Sequence, residues 1–264
     1  MIALVLRSFG RIAPPLAAVA GLVAAFQVAL VAAATVIAGG GGIATLARLM
    51  PNFLQQSIGV AFLSFAGIAT IGFFHAAVVL IMVHFAVYIA SEPAGDVESG
   101  VVDLLLARPL PRHWLVTRTV IVMTVSIVTL VGLMGLALWI ALTFLSPQRD
   151  AWPTLRVVLM LATHLTMVAW CFGAWSLAAS GWARRRGSAV AVVAVTAMAL
   201  YLLDFLGTIW KAVADLAALS PFHYFHGGEI LAGTAASTRD FTVLGAMTIA
   251  GVALAYWRFR ERDL

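Results

Sequence analysis

Asp204 is the one acidic residue deep inside an apolar stretch, A-L-Y-L-L-D-F-L-G. A carboxylate at membrane depth is costly. It reads either as a substrate or gating contact or as a hydrogen bond across a helix interface to a neighbouring Tyr or Thr. Met160, His164, Met167 and Cys171 follow one another at helical spacing, so they share one face of a helix. Thioether, thiolate and imidazole are soft ligands that suit copper or another thiophilic ion. The same residues serve equally as packing groups, with His164 bonded to a backbone carbonyl. His223, His226 and Glu229 have the spacing of a metal site and also the composition of a solvated loop. His75 and His84 fall half a turn out of phase, so one helix cannot aim both at one ligand. Cys171 is the single cysteine, which rules out a disulfide within the chain.

The second chemical feature is a polar island, S-E-P-A-G-D-V-E-S-G-V-V-D-L-L-L-A-R-P-L-P-R-H-W-L-V-T-R, from Ser91 to Arg118. Glu92, Asp96, Glu98 and Asp103 would be expensive in lipid and belong at or beyond the interface. Pro93 and Gly95 are expected to stop the preceding span. From Glu98 the chain can restart as a short helix that Pro109 ends. Leu104, Leu105 and Leu106 would form an apolar knob flanked by charge, either docking into a groove on a soluble partner or merely joining two spans. Arg108, Arg112 and Arg118 would anchor the return into the membrane.

The elements that position these groups are nearly all apolar. Hydrophobic residues make up 63% of the 264-residue chain and charged residues 10%, with mean hydropathy +1.04. A soluble domain carries about 25% charged residues, so the chain reads as an integral membrane protein. The fold class expected is all-α. A hydrocarbon core of about 30 Å needs about 20 helical residues, and six runs qualify: 15–38, 60–90, 119–145, 155–180, 188–209 and 241–257. They are continuously apolar rather than alternating, which argues against a closed barrel. The sequence pI near 10.1 and net charge of +5 do not indicate nucleic acid, because the basic residues sit at the ends of apolar runs.

With the N-terminus in the cytosol, Arg7, Arg11, Arg108, Arg112, Arg118, Arg184, Arg185, Arg186, Arg258, Arg260 and Arg262 lie inside. Arg48, Arg149, Arg156, Lys211 and Arg239 lie outside. That bias places both termini in the cytosol of a multi-pass plasma (inner) membrane protein. The first apolar run is too long for a secretory signal. Residues 1–13 read as a separate amphipathic helix on the inner leaflet, with Arg7 and Arg11 one turn apart and Leu4, Leu6, Phe9 and Ile12 entering the acyl boundary. Trp152, Trp182, Tyr201, Trp210 and Tyr224 fall near span ends, as interfacial belts do.

The stretch E-S-G-V-V-D-L-L-L-A-R-P-L-P-R, Glu98 to Arg112, resembles the cytosolic signature of permease subunits of type-2 ATP-binding-cassette (ABC) exporters. Glu98, Gly100, Asp103, Leu105, Pro109 and Arg112 match the pattern, whereas Val101 stands where a Thr is common. L-S-P-F-H-Y-F, Leu219 to Phe225, is similar to the segment before the sixth span of these permeases, and R-F-R-E-R-D-L resembles their basic ending. The resemblance implies a single transmembrane domain over 1–264. Loop 91–118 would carry a coupling helix, with Glu92 beside the matched residues, contacting an ATPase, and outer loop 210–240 would re-enter the membrane as short helices. It also implies a second permease, identical or homologous, in contact with membrane lipid. No G-x-x-x-x-G-K-[ST] occurs, so the chain is expected to be a non-catalytic subunit, with ATP and Mg bound by a separate cytosolic P-loop ATPase.

Two rival readings remain at this stage, both built around Asp204. An integral membrane enzyme needs a polar constellation at one depth, such as H-E-x-x-H, and the chain contains none. A proton-coupled secondary carrier needs ionisable groups mid-membrane, and Asp204 and His164 are the candidates for such a pathway.

Overall fold

The computed structural model describes residues 2–42, 64–102, 111, 113–146, 148–233 and 238–261. It is all-helical over those residues. In chain order the helices are α1 (Ile2–Gly39), α2 (Phe65–Thr70), α3 (Ala76–Ala90), α4 (Glu92–Glu98), α5 (His113–Leu145), α6 (Leu155–Ser180), α7 (Arg186–Ile209), α8 (Lys211–Ala217), α9 (Gly227–Leu231) and α10 (Thr238–Glu261). Short 3₁₀ turns lie at Ile71–Phe73, Arg149–Ala151 and Pro221–Tyr224. Six segments are long and apolar enough to cross a membrane: α1, Phe65–Ala90, α5, Arg149–Ser180, α7 and α10.

Burial divides these spans into two sets. In the most apolar windows of Phe65–Ala90, α5 and Arg149–Ser180, 50%, 44% and 56% of residues are buried, against 17% for both α1 and α7. The centre is therefore α3, α5 and α6, with Met82, Ala86, Met123, Ile127, Leu130, Leu161, Leu165 and Val168 interlocked. α1 lies along α5, α10 along α6, and α7 touches α3, α4 and α6. Lipid tails are as apolar as these side chains, so close packing and interhelical hydrogen bonds must hold the helices together. Both are present. Gly173 of α6 faces the Met123 sulfur and the Ala86 methyl, and Gly251 of α10 lies against the Ala174 and Trp175 backbone. Ser176 donates to the Val87 carbonyl at 3.0 Å, and Ser180 donates to the Ala90 carbonyl at 3.3 Å. Both carbonyls lie in the last turn of α3; that of Val87 also accepts the Ser91 amide at 3.0 Å.

Two expectations are corrected. The separate interfacial helix at 1–13 is not found: α1 runs unbroken through Pro14 and Pro15. Its first turns are held to the bundle, because Ser8 and Arg11 bond carboxylates on α4. The second span is not one continuous helix either. It passes through a 3₁₀ turn after Thr70 and restarts at Ala76, where the His75 imidazole accepts from the Ala77 amide at 3.3 Å. Buried Gln27 of α1 donates its amide to the Ala69 carbonyl at this irregular point, supplying an internal partner where water is absent.

The Gly251 contact yields a direct test. A Cβ there would lie 3.0 Å from the Ala174 carbonyl carbon and 3.1 Å from the Trp175 nitrogen, both backbone atoms. Gly251→Val is expected to destabilise the bundle by about 1–3 kcal/mol through overpacking. Thermal unfolding in detergent should show a lowered midpoint, while Gly132→Ala, at a position with open space around it, should leave the midpoint near wild type.

Candidate functional site: a buried charged hub at the end of the second span

α3 ends at Ser91 and α4 begins at once, with Pro93 in its first turn, where a missing N–H costs nothing. Pro93 thus opens a new helix rather than stopping the span. Gly95 sits inside α4, where the stem of Arg186 lies 3.2 Å from the position its Cβ would take. α4 ends at Ser99, and Gly100 follows at φ +67°, the left-handed conformation that glycine favours after a helix. The chain is helical again at Val101 and Val102. Asp103, Leu105, Pro109 and Arg112, with the apolar knob between them, lie outside the described residues.

Two α4 carboxylates, Glu92 and Asp96, point into the protein, whereas Glu98 is exposed. Asp96 is 1% exposed and receives a guanidinium on each oxygen: Arg118 of α5 donates at 2.8 Å and Arg11 of α1 at 3.0 Å. Glu92 accepts from the Ser8 hydroxyl at 2.9 Å and stands 3.6 Å from Arg118 and 3.8 Å from Arg11. Arg118 is itself buried. Two acids and two guanidiniums therefore neutralise one another at the junction of three helices. The Arg118 Nε and one Glu92 oxygen have no hydrogen-bond partner there.

Arg186 adds a fourth helix. Its side chain donates to the Tyr88 carbonyl at 2.7 Å and to the Ser91 hydroxyl at 3.2 Å, and its guanidinium lies 4.0 Å from the Tyr88 ring centroid. Its backbone amide donates to Glu98 at 2.9 Å. A cation thus sits at the carboxyl end of α3, where the helix dipole is negative. Sequence reasoning took Arg186 and Arg118 as topology signals. Their partners lie between 22 and 98 residues away in sequence, and the hint the sequence carries is the density of acids directly after a span.

The candidates at the opposite end of the spans fall elsewhere. Asp204 is 3.2 Å from His223, and not bonded to a Tyr or Thr; Asp240 holds His226 in the same way at 3.2 Å. These pairs fasten the segment around Pro221–Tyr224 to α7 and α10. Within it Ser220 accepts from the Phe222 amide, and Phe222 packs on Phe172 and Tyr201. His164 bonds the Met160 carbonyl at 2.9 Å and packs against Phe225 and Phe241. Cys171 is fully buried, and Met160 and Met167 are half-buried. Among the described residues no group of three or more His, Cys, Asp and Glu is arranged to hold a metal ion. His84, by contrast, is exposed on α3 in a groove of about 310 Å³ walled by Val19 of α1 and by Ala197 and Met198 of α7.

The fold and the site define a multi-pass α-helical membrane protein whose helix ends meet in a buried ionic junction. No protein-family model matches the chain, and no curated protein is significantly similar to it.

Removing one member of a buried ion pair leaves an uncompensated charge, at a cost of about 3–5 kcal/mol. Arg118→Met is expected to cost that much, read as a lowered unfolding midpoint or loss of the monodisperse peak in size exclusion. Adding Asp96→Asn and Glu92→Gln to Arg118→Met should recover part of the loss.

Proposed function

We propose that this chain is the membrane-spanning permease subunit of an ATP-driven exporter of the type-2 ABC kind. It would pair with a second permease and be driven by a separate cytosolic P-loop ATPase that binds ATP and Mg. The observation that carries the reading is the position of α4. The stretch with the family resemblance begins at Glu98, on the last residue of the helix whose acids tie α1 and α5 together. Glu98 itself meets the first residue of α7. A push on the loop after Glu98 therefore bears on α1, α5 and α7 at once.

In this reading the loop carrying Glu98, Gly100, Asp103, Leu105, Pro109 and Arg112 forms the coupling contact. Glu92 acts one step behind it, as the inward-facing link to Ser8 and Arg118. Closure of the ATPase dimer moves α4, and the guanidinium pairs pass that displacement to α1 and α5. α1 and α7 are the least covered spans, and the groove between them over His84 suits a face turned toward the second permease. The short elements α8, Pro221–Tyr224 and α9 suit the re-entrant cap on the outer side. The residues favour this over a carrier built on Asp204, because Asp204 lies near the outer end of α7 and is engaged by His223.

The reading is checked by co-expressing the chain with candidate ATPase subunits and purifying through a tag on this chain. An active ATPase should co-purify, and Glu98→Ala and Asp103→Ala should weaken the complex or cut transport-linked hydrolysis severalfold. Recovery of a well-folded chain with no ATPase from any candidate would sink it.

A further inference from the structure

The start of α5 and the end of α10 border an open cavity that the transport reading does not use. Its described walls are His113, Tyr256, Trp257 and Arg260, around about 620 Å³. Tyr256 is held in place by a 2.7 Å hydrogen bond between its hydroxyl and that of Thr117, one turn into α5. Trp257 is 52% exposed, and Arg260 and His113 are exposed beside it. Glu261, the next residue, is not among the walls.

Location and chemistry both constrain the ligand. The cavity lies where two membrane-spanning helices end, on the same side of the bundle as Arg11, Arg118 and Arg186. Indole and phenol rings settle at headgroup depth because one edge is apolar and the other polar. Arg260 contributes a permanent charge with several donors arranged for phosphate oxygens, and His113 adds an imidazole N–H. The lining thus combines cationic and aromatic groups at the ends of two membrane-spanning helices, the composition that suits a phospholipid phosphate at the interface.

We propose that this cavity is a binding site for the headgroup of an anionic phospholipid from the leaflet on the side of both termini. Arg260 and His113 hold the phosphate, Trp257 packs on the glycerol backbone, and the acyl chains run down the outer surface of α5 and α10. The inference requires only that the helices span a bilayer; it stands or falls separately from the ATPase partnership.

Native mass spectrometry of the full-length chain, titrated in detergent with phosphatidylglycerol, provides the test. Phosphatidylcholine of the same acyl chains is the comparison lipid. The wild type should retain one phosphatidylglycerol in preference to phosphatidylcholine. The double variant Arg260→Gln, His113→Gln should lose about fivefold or more in apparent affinity, from roughly one surface charge's worth of lipid attraction. Arg260→Lys should keep most of it, and Arg184→Gln, an exposed charge outside the cavity, should change nothing. If the double variant is poorly folded, Arg260→Gln alone carries the same expectation. Equal binding of phosphatidylcholine overturns the proposal, as does equal loss with Arg184→Gln, or no loss with Arg260→Gln. Displacement of the lipid by equimolar glycerol phosphate would assign the site to a soluble phosphate and overturn the lipid assignment.

Discussion

Arg118 and Asp96 meet at 2.8 Å with 3% and 1% of their side chains exposed, and the arrangement of the bundle follows from the need to keep them together. Neither charge tolerates separation from the other away from water. Their contact fixes α4 against α5. Because the second Asp96 oxygen takes Arg11, it also fixes the beginning of α1. The unbroken course of α1 across two prolines is intelligible on this footing. A helix that surfaced at Pro14 to lie on a leaflet would carry Ser8 and Arg11 away from the acids they serve.

The apolar remainder of the chain specifies less than its length suggests. Against lipid, an exposed Leu is as comfortable as a buried one, so hydrophobicity alone cannot choose which helix faces touch. The choices come from small residues and hydroxyls: Gly173 and Gly251 bring backbones close, and Ser176 and Ser180 reach the last carbonyls of α3. Those contacts gather α3, α5, α6 and α10. The flanks of α1 and α7 carry few of them and stay open, which is where the His84 groove lies.

The spans were legible because continuous apolar runs with polar ends have one stable reading in a bilayer. The run expected over 155–180 matches α6 at both ends, since Pro153 and a Thr154 cap mark its start. Helix α5 begins six residues before the run expected over 119–145, because Arg118 has a partner in Asp96 that the sequence does not set beside it. The burial of the α4 acids Glu92 and Asp96 is hidden in the sequence for the same reason. A carboxylate after a span looks solvated in a linear sequence, and only the fold shows that Asp96 is turned inward by guanidiniums 22 and 85 residues away in sequence. The break at His75 was hidden for a different reason: uniformly apolar residues around Gly72 give no sign of a tightened turn. At the opposite end of the bundle, the sequence offers Asp204 a Tyr or Thr, whereas its partner is His223, 19 residues further on.

The hub also has an order in time. Its members appear on the ribosome as Ser8 and Arg11, then Glu92 and Asp96, then Arg118, and Arg186 only after the fourth span is complete. Until the third span enters, two acids face a single guanidinium at the edge of the membrane. Charge balance at that edge is reached when Arg118 emerges, so the first three spans can close into a neutral unit before the last three exist. Arg186 then arrives as a latch on a junction already formed, and the nascent chain need never hold more than one unmatched charge there.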